Sequence, residues 1–208
     1  MRIIIVRHGE TDVNKAGLAL GRADVDLNDA GHWQAQQVAR ALCHEAIAAV
    51  YASPLRRAVA TAEAIASQHG LPVVPEEGLI EMDIGQMDGL TFQEARQRYP
   101  DFMEAWLGRE VAATAMPGGE RLQEVQERAW LALERVRDRH PDGTAVAVTH
   151  NFVILCLLCR VLGVNLADFR HLRHSVAGVT DLEFRDDRVI LVRMNDTCHL
   201  RSSRQGDA

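Results

Sequence analysis

Short apolar segments alternate with segments of helical period along this chain, and that alternation constrains its fold more than any other feature. Residues 2–6 (RIIIV) are β-branched and apolar throughout, as expected of a buried strand covered on both faces. Further strand candidates lie at 48–52, 71–74 and 145–149. Strands that alternate with helices form a mostly parallel sheet. The sequence therefore predicts an α/β fold, a three-layer sandwich with helices on both faces of a central sheet.

Capping residues and glycines mark where the predicted helices begin and end. Asn28 can cap a helix that runs to about residue 45. Ser53 and Pro54 predict the start of a second helix, which Gly70 ends. Thr91, with a glutamate three residues later, forms a capping box for a third helix. The first two helices each follow a predicted strand, which fits the alternating pattern.

The middle and the end of the chain depart from that pattern. Residues 76–119 are unusually long for a connection in a compact domain, which favours a lid or pocket wall. Segments 176–184 and 188–194 are joined by a polar turn, which predicts a hairpin. Residues 201–208 are polar and are expected to be a disordered tail. We therefore expect one domain over residues 1–200.

Composition and charge exclude several classes of protein. The 208-residue chain has a net charge of −6, whereas nucleic-acid binding requires a concentrated basic face. The apolar run near the start of the sequence is too short for the h-region of a signal peptide, and no run approaches the length of a membrane span. The four cysteines do not form a disulfide framework, and Cys156 and Cys159 lie in an apolar helical stretch typical of buried thiols. We expect a cytoplasmic protein with no nucleic-acid or membrane partner.

A small basic cluster lies in the last quarter of the chain. It comprises Arg170, His171, Arg173 and His174. A solvated segment is the expected structure for a short run of this kind. The two histidines have no acidic or cysteine neighbour, so no metal site is predicted there.

Two histidines follow the ends of predicted strands. His8 follows the first strand, between Arg7 and Gly9, and His150 follows the strand at 145–149. In open parallel sheets, ligands bind beyond the carboxyl ends of the strands. Gly9 allows close approach of a ligand, and the Arg7 guanidinium is a fork-shaped donor suited to phosphate oxygens. Each histidine could still be a structural residue of the core.

Arg57 is a third candidate, in the first turn of the helix predicted after Pro54. Backbone amides and the helix dipole also favour anions at that position. An exposed helical arginine is the alternative.

Ordered blocks spanning nearly the whole chain resemble the histidine phosphatase superfamily, whose members include the cofactor-dependent phosphoglycerate mutases. The blocks are RHGETDVN at 7–14, ASPLRRAVATA at 52–62, LIEMDIGQMDGLTFQEARQRYP at 79–100, PGGE at 117–120, VAVTHN at 146–151 and MNDTCHL at 194–200. The resemblance implies a phosphoglycerate mutase-like fold and phosphoryl-transfer chemistry.

The resemblance also implies a role for each matching residue. His8 matches the histidine that accepts the phosphoryl group, and Arg7, Arg57 and His150 match the groups that hold it. Asn14 matches the asparagine of a Trp-Asn pair whose tryptophan is valine in this chain. Further candidates for phosphate or substrate contact, in the GRADVD segment, are Gly21 and Arg22.

Glu81 matches the carboxyl group that serves as proton donor in the phosphatase and mutase branches. The acid-phosphatase branch instead has an aspartate directly after the second histidine, where this chain has Asn151. Glu81 can protonate a leaving alkoxide only if its pKa is raised toward neutrality.

These roles agree with the physics of phosphoryl transfer. The transition state spreads charge over three equatorial oxygens, which guanidinium and imidazole groups can hold. His8 must attack as a neutral imidazole whose other nitrogen donates to a fixed acceptor. Because the protein's own cations neutralise the charge, we expect neither a metal ion nor a cofactor.

The middle of the chain favours a phosphatase over a mutase. Mutases of this superfamily carry paired arginines in an extra basic segment, whereas residues 101–119 contain only Arg109. The stretch at 83–100 resembles the broad-specificity and alpha-ribazole phosphatase branch instead. Mutase-type transfer and a non-catalytic phosphate-binding protein are the alternatives.

The substrate is expected to be a small phosphorylated metabolite. The outer part of the substrate pocket is predicted to have apolar, adaptable walls, which would accept organic groups of varied shape. The wall candidates, each of which could instead be a core residue, are Met82, Met87, Phe92, Trp106 and Met116. A homodimer is expected from the resemblance alone.

Overall fold

One six-stranded sheet forms the centre of the computed structural model, which describes residues 1–186 and 188–201. In chain order the strands are β1 (Arg2–Arg7), β2 (Ile47–Ala52), β3 (Val73–Pro75), β4 (Thr144–Thr149), β5 (Val179–Arg185) and β6 (Arg188–Asp196). Their order across the sheet is β3-β2-β4-β1-β5-β6. The first four pair in parallel, and β5 and β6 add an antiparallel hairpin at one edge. The predicted α/β class and the predicted hairpin are confirmed.

Helices flank this sheet. They are α1 (Asp12–Lys15), α2 (Asp29–Leu42), α3 (Arg56–Ser67), α4 (Phe92–Arg98), α5 (Pro100–Leu107), α6 (Leu122–Arg139) and α7 (Asn151–Leu162). Short 3₁₀ helices occupy Glu77–Leu79, Gly85–Met87, Leu166–His171 and Cys198–Leu200. In the described residues, no helix is long and apolar enough to cross a membrane.

Strand β1 shows why the sheet is covered on both faces. Its side chains alternate, so that Ile3 and Ile5 join the core that α6 and α7 cover. Ile4 and Val6 join a second core beneath α2 and α3. All four are fully buried, and burying such a side chain contributes about 1.5–3 kcal/mol. The continuous apolar run of β1 therefore produces the three layers.

The predicted cap of α3 is wrong. The helix begins at Arg56, its N-cap is Leu55, and no side chain caps it. The Ser53 hydroxyl lies instead 2.7 Å from Nε2 of His150. By contrast, the capping box at Thr91 is confirmed as the start of α4.

Residues 76–119, which we call the lid, hold α4 and α5 against the core next to α6. Gly85 has a φ of +51°, and a Cβ there would collide with the Pro117 carbonyl oxygen. The segments at 83–85 (DIG) and 117–119 (PGG) therefore cross each other with their backbones in direct contact. Of the predicted tail at 201–208, all but Arg201 lies outside the described residues.

Candidate active site

His8 lies at the carboxyl end of β1 with 2% of its surface exposed. Its Nδ1 is 2.7 Å from the Gly9 carbonyl oxygen. A carbonyl only accepts, so Nδ1 carries the proton and Nε2 keeps its lone pair. Burial lowers the pKa of His8 well below its ordinary value, and the charges of Arg57 and Arg7 lower it further. His8 is therefore held as a neutral imidazole with Nε2 free.

Gly9 is required by packing on the side away from any ligand. A Cβ at Gly9 would lie 2.5 Å from the carbonyl oxygen of Gly31 in α2. The Gly9 N–H donates to the Thr61 hydroxyl of α3 at 3.1 Å. Two helices thus fix the carbonyl that sets the tautomer of His8.

His150 follows β4, and its ring centroid is 5.0 Å from that of His8. Ser53 Oγ accepts from the Leu55 N–H at 3.3 Å, and the Ser53 hydroxyl can donate its own proton to His150 Nε2, 2.7 Å away. In that arrangement Nδ1 of His150 carries a proton, and this buried atom has no partner. Burial and the nearby His8 lower the pKa of His150 well below its ordinary value.

The two arginines are each held by carbonyl oxygens. Arg57, fully buried, donates from its two terminal nitrogens to Ala23 and Gly21, both at 2.7 Å. Arg7 donates from one terminal nitrogen to Asn151 and to a backbone carbonyl. Buried polar atoms are nearly always paired, yet both Nε atoms are unpartnered. Two guanidinium groups beside His8 thus retain a free donor each, as an anion site requires.

Glu81 completes the cluster and is 3% exposed. Its Oε1 accepts from its neighbour's N–H at 2.8 Å, and its Oε2 accepts from the Phe152 N–H at 3.3 Å. Burial raises the pKa of Glu81, against the opposing effects of these hydrogen bonds and of Arg57 and Arg7. A carboxyl group in this setting is suited to donate a proton.

Residues 3–197 match the histidine phosphatase superfamily, branch 1. The chain belongs to this superfamily. It is 34% identical over 200 residues to phosphoserine phosphatase 1 of Hydrogenobacter thermophilus, covering 96% of this chain and 94% of that protein. It is 32% identical to the metal-independent phosphoserine phosphatase of Arabidopsis thaliana, covering 96% of this chain and 83% of that one.

Solved structures of the superfamily superpose closely. YhfR of Bacillus stearothermophilus is 28% identical with a TM-score of 0.90, and the match covers 96% of this chain and 99% of that one. The alpha-ribazole phosphatase of Shigella flexneri is 26% identical with a TM-score of 0.85, over 94% and 96% of the two chains. The protein is thus a phosphatase that hydrolyses phosphomonoesters. Sequence analysis had found the superfamily but had not singled out phosphoserine.

In this phosphatase, two arginines hold the backbone of Glu81. Arg22 Nε and Arg128 each donate to the Glu81 carbonyl at 3.1 Å. Both also pair with Glu120, at 3.0 Å and 2.9 Å respectively. Arg128 further donates to the carbonyl oxygens of Gly78 and Ile80.

Arg22 is a candidate for substrate contact. Its guanidinium is engaged with the segment that carries Glu81, and contact with substrate remains a prediction. Arg128 was missed by sequence reasoning. On α6 its spacing is that of an ordinary surface arginine. The only available signal was the PGGE block, which contains its partner Glu120.

Gly21 and Asn14 have roles within the protein. The Gly21 carbonyl holds Arg57, and its N–H donates to Asp88 at 3.0 Å. Asn14 Oδ1 accepts from the N–H and the hydroxyl of Thr11, at 3.2 and 3.1 Å, which caps α1. Contact between either residue and phosphate remains a prediction.

The phosphatase has a cavity of about 290 Å³ beneath the lid. No side chain that lines it is charged within the described part of the chain, and the lining includes Phe152, whose N–H holds Glu81. Of the predicted walls, Met87, Phe92, Trp106 and Met116 line the cavity. Met82 does not, because it is fully buried in the core.

Arg170 supports this cavity from outside. Its guanidinium lies over the Phe169 ring at 4.6 Å and over the Trp106 ring at 5.4 Å, and it donates to the Trp106 carbonyl at 2.5 Å. Sequence could not place Arg170 against a tryptophan that lies 64 residues earlier.

The basic cluster was expected to be a solvated segment, and Arg170, His171 and Arg173 are indeed exposed. For His174 the expectation is wrong, because this residue is 4% exposed and its Nε2 lies 2.9 Å from the Thr180 hydroxyl oxygen.

Proposed function

We propose that this phosphatase works without a metal ion, through a covalent phosphohistidine on His8, with Glu81 as the proton donor. The observation that carries the proposal is the state of His8, which is neutral, buried and has a free Nε2. Around it lie buried donors on Arg7, Arg57 and His150 that have no partner among the residues that the structure describes. This is the donor set that a phosphoryl group requires.

In the first step, the phosphoryl oxygens occupy these free donors while His8 Nε2 attacks phosphorus. The P–N bond forms as the P–O bond to the leaving group breaks. Charge spread over the equatorial oxygens is stabilised by two guanidinium groups and by the Nδ1–H of His150. Glu81 gives its proton to the departing alkoxide.

In the second step, Glu81 is a carboxylate and takes a proton from water. That water attacks the phosphorus, the P–N bond breaks, and inorganic phosphate leaves with His8 neutral again. One carboxyl group therefore serves as acid and then as base. Burial raises the pKa of Glu81, and this direction supports both roles, because it makes the carboxyl group a more available acid and its carboxylate a stronger base.

Two observations bear on the substrate. Relatives named phosphoserine phosphatase favour phosphoserine as the first ester to test. The uncharged cavity beside Phe152 favours an ester with an apolar organic group. Phosphoserine carries an ammonium and a carboxylate, and no described side chain that lines the cavity has a charge to pair with either group. We propose the apolar ester as the second candidate.

Phosphate release from a panel of monoesters in excess chelator tests the proposal. The panel contains phosphoserine, 3-phosphoglycerate, sugar phosphates, nucleotides, alpha-ribazole 5′-phosphate and an aryl phosphate. Release that survives chelation, together with acid-labile phosphate on the protein, is expected. Complete loss on chelation would contradict the metal-free step. Interconversion of 3- and 2-phosphoglycerate on adding a bisphosphate, without hydrolysis, would establish the mutase alternative.

We also infer a cytoplasmic location, which the four free cysteines support, since disulfides are rare in that compartment. The homodimer remains a prediction, and light scattering of the purified protein tests it directly.

A further inference from the structure

Asn151 joins the ends of two neighbouring strands of the active site. It is the first residue of α7, directly after His150, and is half-buried. Its Oδ1 accepts from a terminal nitrogen of Arg7 at 3.1 Å. Because β1 and β4 pair in parallel with Arg7 opposite Thr149, this bond connects the two strand ends that carry the catalytic histidines.

The bond fixes the orientation of Arg7. The same terminal nitrogen also donates to the carbonyl of His174, so two acceptors from different segments hold one corner of the guanidinium. The Nε–H of Arg7 is left buried and unpartnered. A planar guanidinium held at one corner presents its remaining donors in a fixed direction.

Both acceptors, the Asn151 amide oxygen and the His174 carbonyl oxygen, are uncharged, so neither neutralises the positive charge of Arg7. The bond from Arg7 to Asn151 already has a charged donor, and a carboxylate acceptor would turn it into an ion pair. It would also compete with the phosphoryl oxygens for the same cation. An amide holds the guanidinium and leaves its positive charge for the substrate.

We propose that Asn151 is a positioning residue that orients Arg7 toward the phosphoryl group while keeping its charge available. The proposal rests on the proposed phosphatase site. It goes beyond that site by assigning a function to a side chain that forms neither the nucleophile nor the proton donor.

Binding of orthovanadate, measured by calorimetry on the purified full-length protein, tests this inference without requiring turnover. Asn151→Ala removes the acceptor, and we expect vanadate affinity and kcat/KM each to fall about tenfold, the lower end for a hydrogen bond to a charged group. Asn151→Asp keeps an acceptor but adds a negative charge, and we expect a loss at least as large. If the alanine variant does not fold, the aspartate variant carries the test.

Asn165→Ala is the matched control, because Asn165 also begins a helical turn and accepts one hydrogen bond, from the Ala167 N–H at 2.9 Å. It should leave vanadate binding unchanged. Wild-type affinity in Asn151→Ala would overturn the positioning role, and wild-type affinity in Asn151→Asp would overturn the need for a neutral amide. His8→Ala, assayed in parallel, separates the two proposals: if it retains turnover the phosphohistidine mechanism fails, whereas vanadate binding still reports on Arg7.

Discussion

The proposed phosphate-binding cluster, formed by Arg7, His8, Arg57, Glu81 and His150, and the cavity beneath the lid are built in opposite ways. In the cluster, charged and polar groups such as Arg57 and His150 are buried and held by hydrogen bonds to fixed partners. The cavity has apolar walls, among them Met87 and Met116, that make few directional contacts. In the proposed mechanism, rigid polar groups carry out the reaction, whereas adaptable apolar walls select which leaving groups fit. Substitutions in the two regions should therefore affect different kinetic quantities.

His8→Ala should have the largest effect, with loss of nearly all turnover on every ester. The variant removes the atom that bonds to phosphorus, so binding cannot compensate. The measurement is single-turnover phosphate release together with a search for acid-labile protein phosphate. His44→Ala, an exposed histidine, is the control. Substantial turnover in His8→Ala would mean that water attacks directly.

Glu81→Gln should lower kcat by roughly 10²–10⁴, the usual contribution of general acid–base catalysis. KM should change little, because the amide keeps the shape and an acceptor for the Phe152 N–H. Initial rates across substrate concentration separate kcat from KM. Glu63→Gln, at an exposed position of α3, should match wild type.

The pH profile distinguishes acid catalysis from a structural effect of Glu81. The pKa of His8 is lowered, so its neutral form persists below pH 6.5 and activity is retained there. The first step needs Glu81 protonated, so kcat/KM should fall as pH rises through its raised pKa. Glu81→Gln should lack that falling limb. An identical profile in both proteins would remove Glu81 from the proton transfer.

Trp106→Leu should affect one class of substrate only. It removes an aromatic wall of the cavity, so kcat/KM for an aryl phosphate should fall about tenfold, as expected for losing a large apolar contact. Methyl phosphate, which does not reach the cavity, should react as before. Trp33→Leu is the matched control, since that tryptophan is 44% exposed. An equal loss of kcat/KM on both esters would show that Trp106 affects the catalytic cluster as well as the cavity.

Arg170→Ala should have the smallest effect. An exposed cation–π contact contributes about 0.5–1 kcal/mol, so KM for the aryl phosphate should rise about two- to fivefold with kcat unchanged. Arg173→Ala, in the same basic cluster and exposed, should have no effect. If the two variants behave alike, Arg170 does not hold Trp106 against the cavity.

The sequence predicted the residues of the cluster better than the residues that hold them in place. His8, Arg57 and His150 could be identified because each stands at a recognisable strand end or helix start within an ordered block. Ser53 was interpreted as a helix cap, since Ser-Pro is a local cap signal and its real partner His150 lies 97 residues away. Arg128 could not be found for the same reason.

The lid was predicted as an element but not in detail. Its length indicated a pocket wall, and four of five wall residues line the cavity. Met82 could not be separated from Met87, because both are apolar residues in irregular backbone without a helical or strand period. Only tertiary packing decides which of the two faces the core.

The contact between Gly9 and Gly31 has a consequence for evolution and for protein engineering. Each glycine leaves room for the backbone of the other's segment, and a Cβ at Gly31 would collide with the Glu10 carbonyl oxygen. A glycine inside a helix costs roughly 0.5–1 kcal/mol relative to alanine, which would favour Gly31→Ala, but the added Cβ would lie 2.1 Å from the Glu10 carbonyl oxygen, and this collision outweighs the gain. That change would displace the carbonyl that holds the proton on His8 Nδ1. Selection for stability and selection for turnover therefore both retain glycine at position 31, a helix position outside the proposed phosphate-binding cluster.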